Sequence, residues 1–183
     1  EATHMFSEDF QQIGLDFPDQ LKQLNSNFLQ IEDEYYAVAR AKSKIESNDR
    51  PILKLKQGGV DFIELRSLDL NPFSKIGIDT ETVLFLEVFL IFCFFKRSNK
   101  FDNSQLGNIL DNDLNVAKYG RKPNLYLIKD GNKIRLKEWG KQILDEMTPI
   151  AEKLSSQSTN YVNIISNFRL KIDDPKQTLS AIF

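Results

Sequence analysis

A chain of 183 residues, 41% hydrophobic and 27% charged, has the size and balance of one compact globular unit and is neither disordered nor fibrous. Its 24 Lys and Arg against 26 Asp and Glu leave a net charge of -2, so it lacks the basic excess that drives binding to a phosphate backbone, and a nucleic-acid partner is not expected. The single cysteine, Cys93, cannot close an internal disulfide, which points to a reducing, cytoplasmic setting; the single histidine, His4, excludes a Cys/His zinc site made by this chain alone.

Residues 1–30 carry acids and polar side chains throughout and contain no uninterrupted apolar stretch of the kind a secretory signal needs. Ser7, ahead of Glu8, Asp9, Phe10 and Ile13, predicts a short capped helix that the 14–18 region ends. Over residues 24–39, Leu29, Ile31 and Tyr35 alternate with Gln30, Glu32 and Glu34, the period of a strand. A polar connector, 42–56, then leads past Gly58-Gly59 to a second alternating segment over 60–68. The two strands are expected to be antiparallel or mixed neighbours.

Turn chemistry at Asn71-Pro72-Phe73-Ser74 precedes Asp79, a suitable N-cap for the apolar run 83–95, with Glu81 in its first turn. Only Glu87 interrupts that run. At about 13 residues it falls short of the ~20 that cross a bilayer, which predicts a fully buried core helix in place of a membrane span, with Cys93 a small buried hydrophobe. Lys96 and Arg97 suit the helix C-terminus.

A further helix from about Ser104 should stop near Gly120. Residues 125–128 and 133–136 flank Asp130-Gly131 and read as a hairpin with a type I′ turn. Trp139, Ile143, Met147, Ile150 and Leu154 recur at helical spacing, making 137–155 an amphipathic helix in which Pro149 should introduce a kink. A last helix is expected over 160–172, closed by Asp173-Asp174-Pro175. With no repeat and no linker, the chain reads as a single domain, strand-rich over 24–73 and helix-rich over 79–172. Strands that precede helices place it in the α+β class.

The phosphate-loop, dinucleotide, zinc-protease and nucleophile-elbow patterns are all missing from the sequence. What remains is an acid and an arginine on the second strand. A period of two puts Phe62, Glu64, Arg66 and Leu68 on one face and Ile63 and Leu65 on the other. Glu64 and Arg66 can be a structural ion pair on a sheet surface. They can also serve a metal and phosphate site, since Mg2+ takes carboxylate oxygens and a guanidinium grips phosphoryl oxygens in bidentate fashion. Glu32 and Glu34, sharing a face with Gln30 and Tyr36, are open to the same two readings, and Arg40 and Lys42 follow close enough to reach phosphates.

Leu29-Gln30-Ile31-Glu32-Asp33-Glu34-Tyr35-Tyr36-Ala37, followed by Gly58-Gly59-Val60-Asp61-Phe62-Ile63-Glu64-Leu65-Arg66-Ser67-Leu68-Asp69-Leu70-Asn71-Pro72-Phe73, resembles the proteobacterial glutamate-cysteine ligases. The similarity continues through Gly77-Ile78-Asp79 and Gly120-Arg121-Lys122-Pro123. The resemblance implies part of a glutamine synthetase-like, mainly antiparallel catalytic sheet with flanking helices. It implies ATP- and Mg2+-dependent joining of L-glutamate to L-cysteine through a γ-glutamyl phosphate, the first step of glutathione synthesis. By motif position Glu64 matches a Mg2+ ligand and Arg66 an arginine at the glutamyl-phosphate region, while Tyr36 and Arg40 match positions near nucleotide and substrate. In that family further metal-binding acids and a histidine come from an N-terminal part not found among these residues. The chain is therefore expected to be a partial domain, inactive alone. The other reading is a non-catalytic interaction module with Glu64 and Arg66 as a structural pair.

Overall fold

The structure is a computed structural model that describes residues 6–13, 23–27, 29, 37–44, 50–98 and 102–183. They form two compact units, Glu1–Asp69 and Leu70–Phe183.

In the first unit, Ser7 is almost fully buried and its hydroxyl accepts from the Phe10 amide at 3.4 Å, capping helix α1 (Glu8–Ile13) as its sequence predicts. Of the strand expected over 24–39, residues 28 and 30–36 lie outside the described residues. Residues 23–27 form bends and one antiparallel bridge, Phe6 to Asn27, and the described strand is β1 (Ala39–Lys42). The connector after β1 is not all loop, because it holds helix α2 (Pro51–Gly58). Proline at its first turn sits where the missing N–H costs nothing, but Lys54 and Lys56 break up the apolar pattern that would have announced it. Gly59, at φ 79°, turns the chain into β2 (Phe62–Leu65), which pairs antiparallel with β1.

In the second unit, Asn71 ties the turn to the helix that follows. Its buried side chain donates to Asp79 Oδ2 at 2.7 Å and accepts from the Phe73 amide at 2.9 Å. Asp79 Oδ1 caps α3 (Thr80–Phe95) by accepting from the Thr82 amide at 2.7 Å. Burial raises the Asp79 pKa, but the bonds from Thr82 and Asn71 outweigh it and the net shift is downward.

The core forms where Val88 and Phe92 of α3 meet Leu144, Met147 and Ala151 of α5 (Leu136–Leu154) and Ile165 of α6 (Tyr161–Asp173). The expectation of a fully buried α3 is corrected. Val88 and Phe92 are its buried residues, whereas Phe94 and Phe95 are 83% and 73% exposed. The helix is apolar all round, and α5 and α6 cover one side of it. Cys93 is likewise exposed, its thiol pushed up by the apolar surroundings against the pull of Lys96. The lone charge of the run is answered: the Tyr161 hydroxyl donates to Glu87 at 2.7 Å. No helix among the described residues is long and apolar enough to cross a membrane.

Helix α4 (Asn103–Tyr119) starts at a full capping box, with Asp102 accepting from the Gln105 amide at 2.8 Å and the Gln105 side chain accepting from the Asp102 amide at 3.0 Å. Asp102→Ala is expected to cost about 1 kcal/mol of stability, measurable by thermal unfolding. Strands β3 (Tyr126–Lys129) and β4 (Asn132–Arg135) form the predicted hairpin. Asp130 at φ 50° and Gly131 at φ 76° make it a type I′ turn. A Cβ at Gly131 would meet nothing within 4 Å, so Gly131→Ala is expected to cost about 1 kcal/mol through backbone conformation alone; unfolding in urea reads it.

Helix α5 includes Pro149 and continues to Leu154, and α6 follows with Asn160 as its N-cap. Beyond the expected stop, a 3-10 turn (Pro175–Gln177) and α7 (Leu179–Ile182) complete the chain. Asp173 pairs with Lys137 at 2.8 Å and Lys141 at 2.6 Å, one turn apart on α5, and these bonds lower its pKa to about 2. A depressed carboxylate pKa stabilises the fold above the unfolded value near 3.8, and that contribution disappears as pH falls toward 2. Asp173→Asn is therefore expected to flatten the pH dependence of stability between about pH 4 and pH 2, as followed by unfolding at stepped pH.

Candidate functional site

The β1–β2 ladder decides what the sequence left open about faces. Its register pairs Arg40 with Glu64 and Lys42 with Phe62, while Ala39 and Ala41 face Leu65 and Ile63. Cross-strand partners share a face, so Arg40, Lys42, Phe62 and Glu64 stand together. The Arg66 amide donates to the Val38 carbonyl at 2.8 Å, carrying the ladder one residue past β2 and keeping Arg66 on Glu64's side.

Glu64 Oε2 lies 3.0 Å from Arg66 Nη2 and 3.2 Å from Lys42 Nζ. The Arg66 hydrogen bond, then that of Lys42, lowers the Glu64 pKa, so the carboxylate is ionised at neutral pH. The Glu64 side chain is 38% exposed and that of Arg66 26%, so the group is reachable from solvent. At the other end of the ladder, Asp61 accepts from the Lys44 amide at 2.8 Å and from the Ser43 hydroxyl at 3.0 Å, bonds that depress its pKa. That carboxylate fixes the turn out of β1.

Lys42 and Arg66 hold the Glu64 carboxylate and Arg40 stands across the ladder from it, donors of the kind that can bind an anion with several oxygens. Among the described residues, no group of three or more His, Cys, Asp or Glu stands together to hold a metal. Tyr36, Glu32 and Glu34 lie outside the described residues. The structure thus brings Arg40, Glu64 and Arg66 onto one face and adds Lys42 as a direct Glu64 partner. Its sequence signal was the Arg40-Ala41-Lys42 spacing of two, the same spacing as Glu64 and Arg66. A surface depression of about 480 Å³ between the end of α5 and the start of α6 is lined by residues such as Ser155, Asn160 and Ser166 and includes none of these groups.

These elements define an α+β protein whose paired strands gather Arg40, Lys42 and Arg66 on the face of an ionised glutamate. The family model for glutamate-cysteine ligase matches residues 1–116, and the chain belongs to that family. A glutamate-cysteine ligase of Shewanella amazonensis is 37% identical over 181 residues, 99% of this chain and 34% of the relative. One of Pseudomonas entomophila is 39% identical over 161 residues, 87% of this chain and 30% of the relative. Among solved structures, the Francisella tularensis glutamate-cysteine ligase in complex with AMP superimposes with a TM-score of 0.82 at 35% identity, covering 99% of this chain and 36% of that one. The chain spans about a third of the length of these relatives.

Proposed function

We propose that this chain supplies part of the catalytic sheet of a glutamate-cysteine ligase, which joins L-glutamate to L-cysteine with ATP as co-substrate, in a cytoplasmic setting. The observation that carries the reading is the Glu64–Arg66 pair inside Glu64-Leu65-Arg66-Ser67-Leu68-Asp69-Leu70-Asn71-Pro72-Phe73, with Arg40 and Lys42 on the same face. In the proposed reaction the γ-carboxylate of glutamate takes the terminal phosphoryl group of ATP, releasing ADP. The cysteine amine then attacks the acyl phosphate, and phosphate leaves as the amide forms.

Arg66 suits the first step because its planar fork can hold two oxygens of the transferring phosphoryl group and offset charge as it develops. Arg40, across the ladder, and Tyr36 are both assigned to nucleotide or substrate oxygens from their motif positions. Glu64 offers a carboxylate oxygen, the donor type that Mg2+ takes, but one carboxylate is one ligand. The reading therefore assigns it as a single Mg2+ ligand and draws the other acids from outside the described residues. Bound Mg2+ would neutralise phosphate charge. Lys42 and Arg66 hold the Glu64 carboxylate from two strands and keep it ionised.

The test is a chimera in which this chain replaces the matched third of the Shewanella amazonensis relative. ADP release that requires both glutamate and cysteine is expected from the chimera and not from the 183 residues alone. A folded chimera without it, beside an active parent, would sink the reading, as would activity of the isolated chain for the claim that the rest is needed. The 3.0 Å Glu64–Arg66 bond also supports a second reading, a docking module with a structural ion pair; that reading requires Glu64→Gln to leave chimera turnover unchanged, whereas the ligase reading expects Glu64→Gln to raise the Mg2+ needed for half-maximal rate.

A further inference from the structure

Helix α4 is amphipathic the wrong way round for a helix that ends at its own unit. Gln105, Asn108, Asn112 and Asn115 are half-buried, and Asn112 explains why, since its amide donates to the Ile128 carbonyl at 2.7 Å and accepts from the Ile128 amide at 2.9 Å. Leu106, Ile109, Leu110 and Leu114 recur at three- and four-residue spacing and are 46%, 42%, 70% and 52% exposed. At about 100° per residue, this apolar stripe lies roughly 150° from the polar one. A surface helix normally turns such a stripe toward a core, and contiguous apolar surface on a soluble protein marks a partner's site.

We infer that the Leu106–Leu114 face of α4 is a docking surface for the rest of a glutamate-cysteine ligase polypeptide, the part outside these 183 residues. The occupant follows from length and position. The chain spans 34% of the Shewanella amazonensis relative and 36% of the Francisella tularensis chain, so about two-thirds of such a protein is available to cover it. The family match runs through residue 116, so the whole stripe lies inside the segment that the ligase family model describes. The apolar stripe calls for a largely apolar counterpart on that remainder, with a donor to answer Asp113, which falls within the stripe, while Asp111 lies beyond its edge. This inference rests on the proposed ligase function for the existence of its partner.

The test reads accessibility and activity separately. In a Cys93→Ser background, Leu110→Cys or Asp111→Cys is placed in the isolated chain and in the chimera described above, and alkylation by iodoacetamide is timed. Leu110→Cys is expected to react at least about tenfold more slowly in the chimera than in the isolated chain, while Asp111→Cys changes by less than about twofold. Equal rates at position 110 would overturn the docking surface even if the chimera were active. Protection at 110 in an inactive chimera would support the surface and count against the function. Protection already present in the isolated chain, growing with its concentration, would make the occupant a second copy and overturn the proposal. Independently of the chimera, Leu110→Lys with Leu114→Lys should move the melting temperature of the isolated chain by less than about 2 °C. A larger fall would mean that the face is already packed within these residues, which also overturns it.

Discussion

Met147→Ala is expected to cost about 2–5 kcal/mol of stability. Met147 is fully buried where Val88 and Phe92 of α3, Leu144 and Ala151 of α5 and Ile165 of α6 converge. Removing its thioether arm forfeits the transfer free energy of the lost atoms and leaves a cavity walled by three helices, which can collapse only by moving a helix. Against a domain stability of about 5–15 kcal/mol, that loss is a substantial fraction. The check is urea unfolding: the midpoint should fall with the slope unchanged, because the folded state is weakened without altering the surface exposed on unfolding. A midpoint shift no larger than that of Leu114→Ala, where the side chain is half exposed, would show that Met147 is not central to the packing.

Arg66→Ala is expected to lower the turnover of the ligase chimera by about 10²-fold or more, the range seen when one preorganised donor to a developing oxyanion is removed. Arg66→Lys should recover only part of it, because an ammonium keeps the charge and loses the two-pronged grip on paired oxygens. Loss of the solvent-accessible ion pair between Arg66 and Glu64, which retains Lys42, should by itself cost little stability. Turnover falling without unfolding is the signature to look for in paired kinetic and thermal measurements. Wild-type turnover in Arg66→Ala would remove Arg66 from the chemistry and leave it as a structural partner of Glu64.

How far the sequence carried these results depends on the range of the signal. Elements announced by local chemistry were legible: Ser7 before α1, Asp79 before α3, Asp130-Gly131 between β3 and β4, and the three- and four-residue spacing through Met147 in α5. Each is set by neighbours a few residues away. Helix α2 was not legible, because lysines interleave with Ile52 and Leu55 and only Pro51 marks its start. The burial of α3 was overread for a related reason. An apolar run reports that a helix can be buried, and only tertiary packing decides which side is; here Val88 and Phe92 turn inward while Cys93 to Phe95 face out.

In the site, the shared face of Glu64 and Arg66 was legible from the period of two along one strand. Register across strands was not, because it needs the β1–β2 pairing that sets Arg40 opposite Glu64 and brings Lys42 within 3.2 Å of it.

The side-chain amide of Asn112 has a consequence for how the hairpin behaves among other chains. Strand β3 pairs with β4 along one edge, and at Ile128 both backbone groups of the other edge are already engaged by that amide. An open strand edge is a template for another strand, the usual start of ordered aggregation. Asn112 caps that edge as a third strand would, at the cost of one residue, so Asn112→Leu would leave the hairpin as a recruiting surface even where the fold survived.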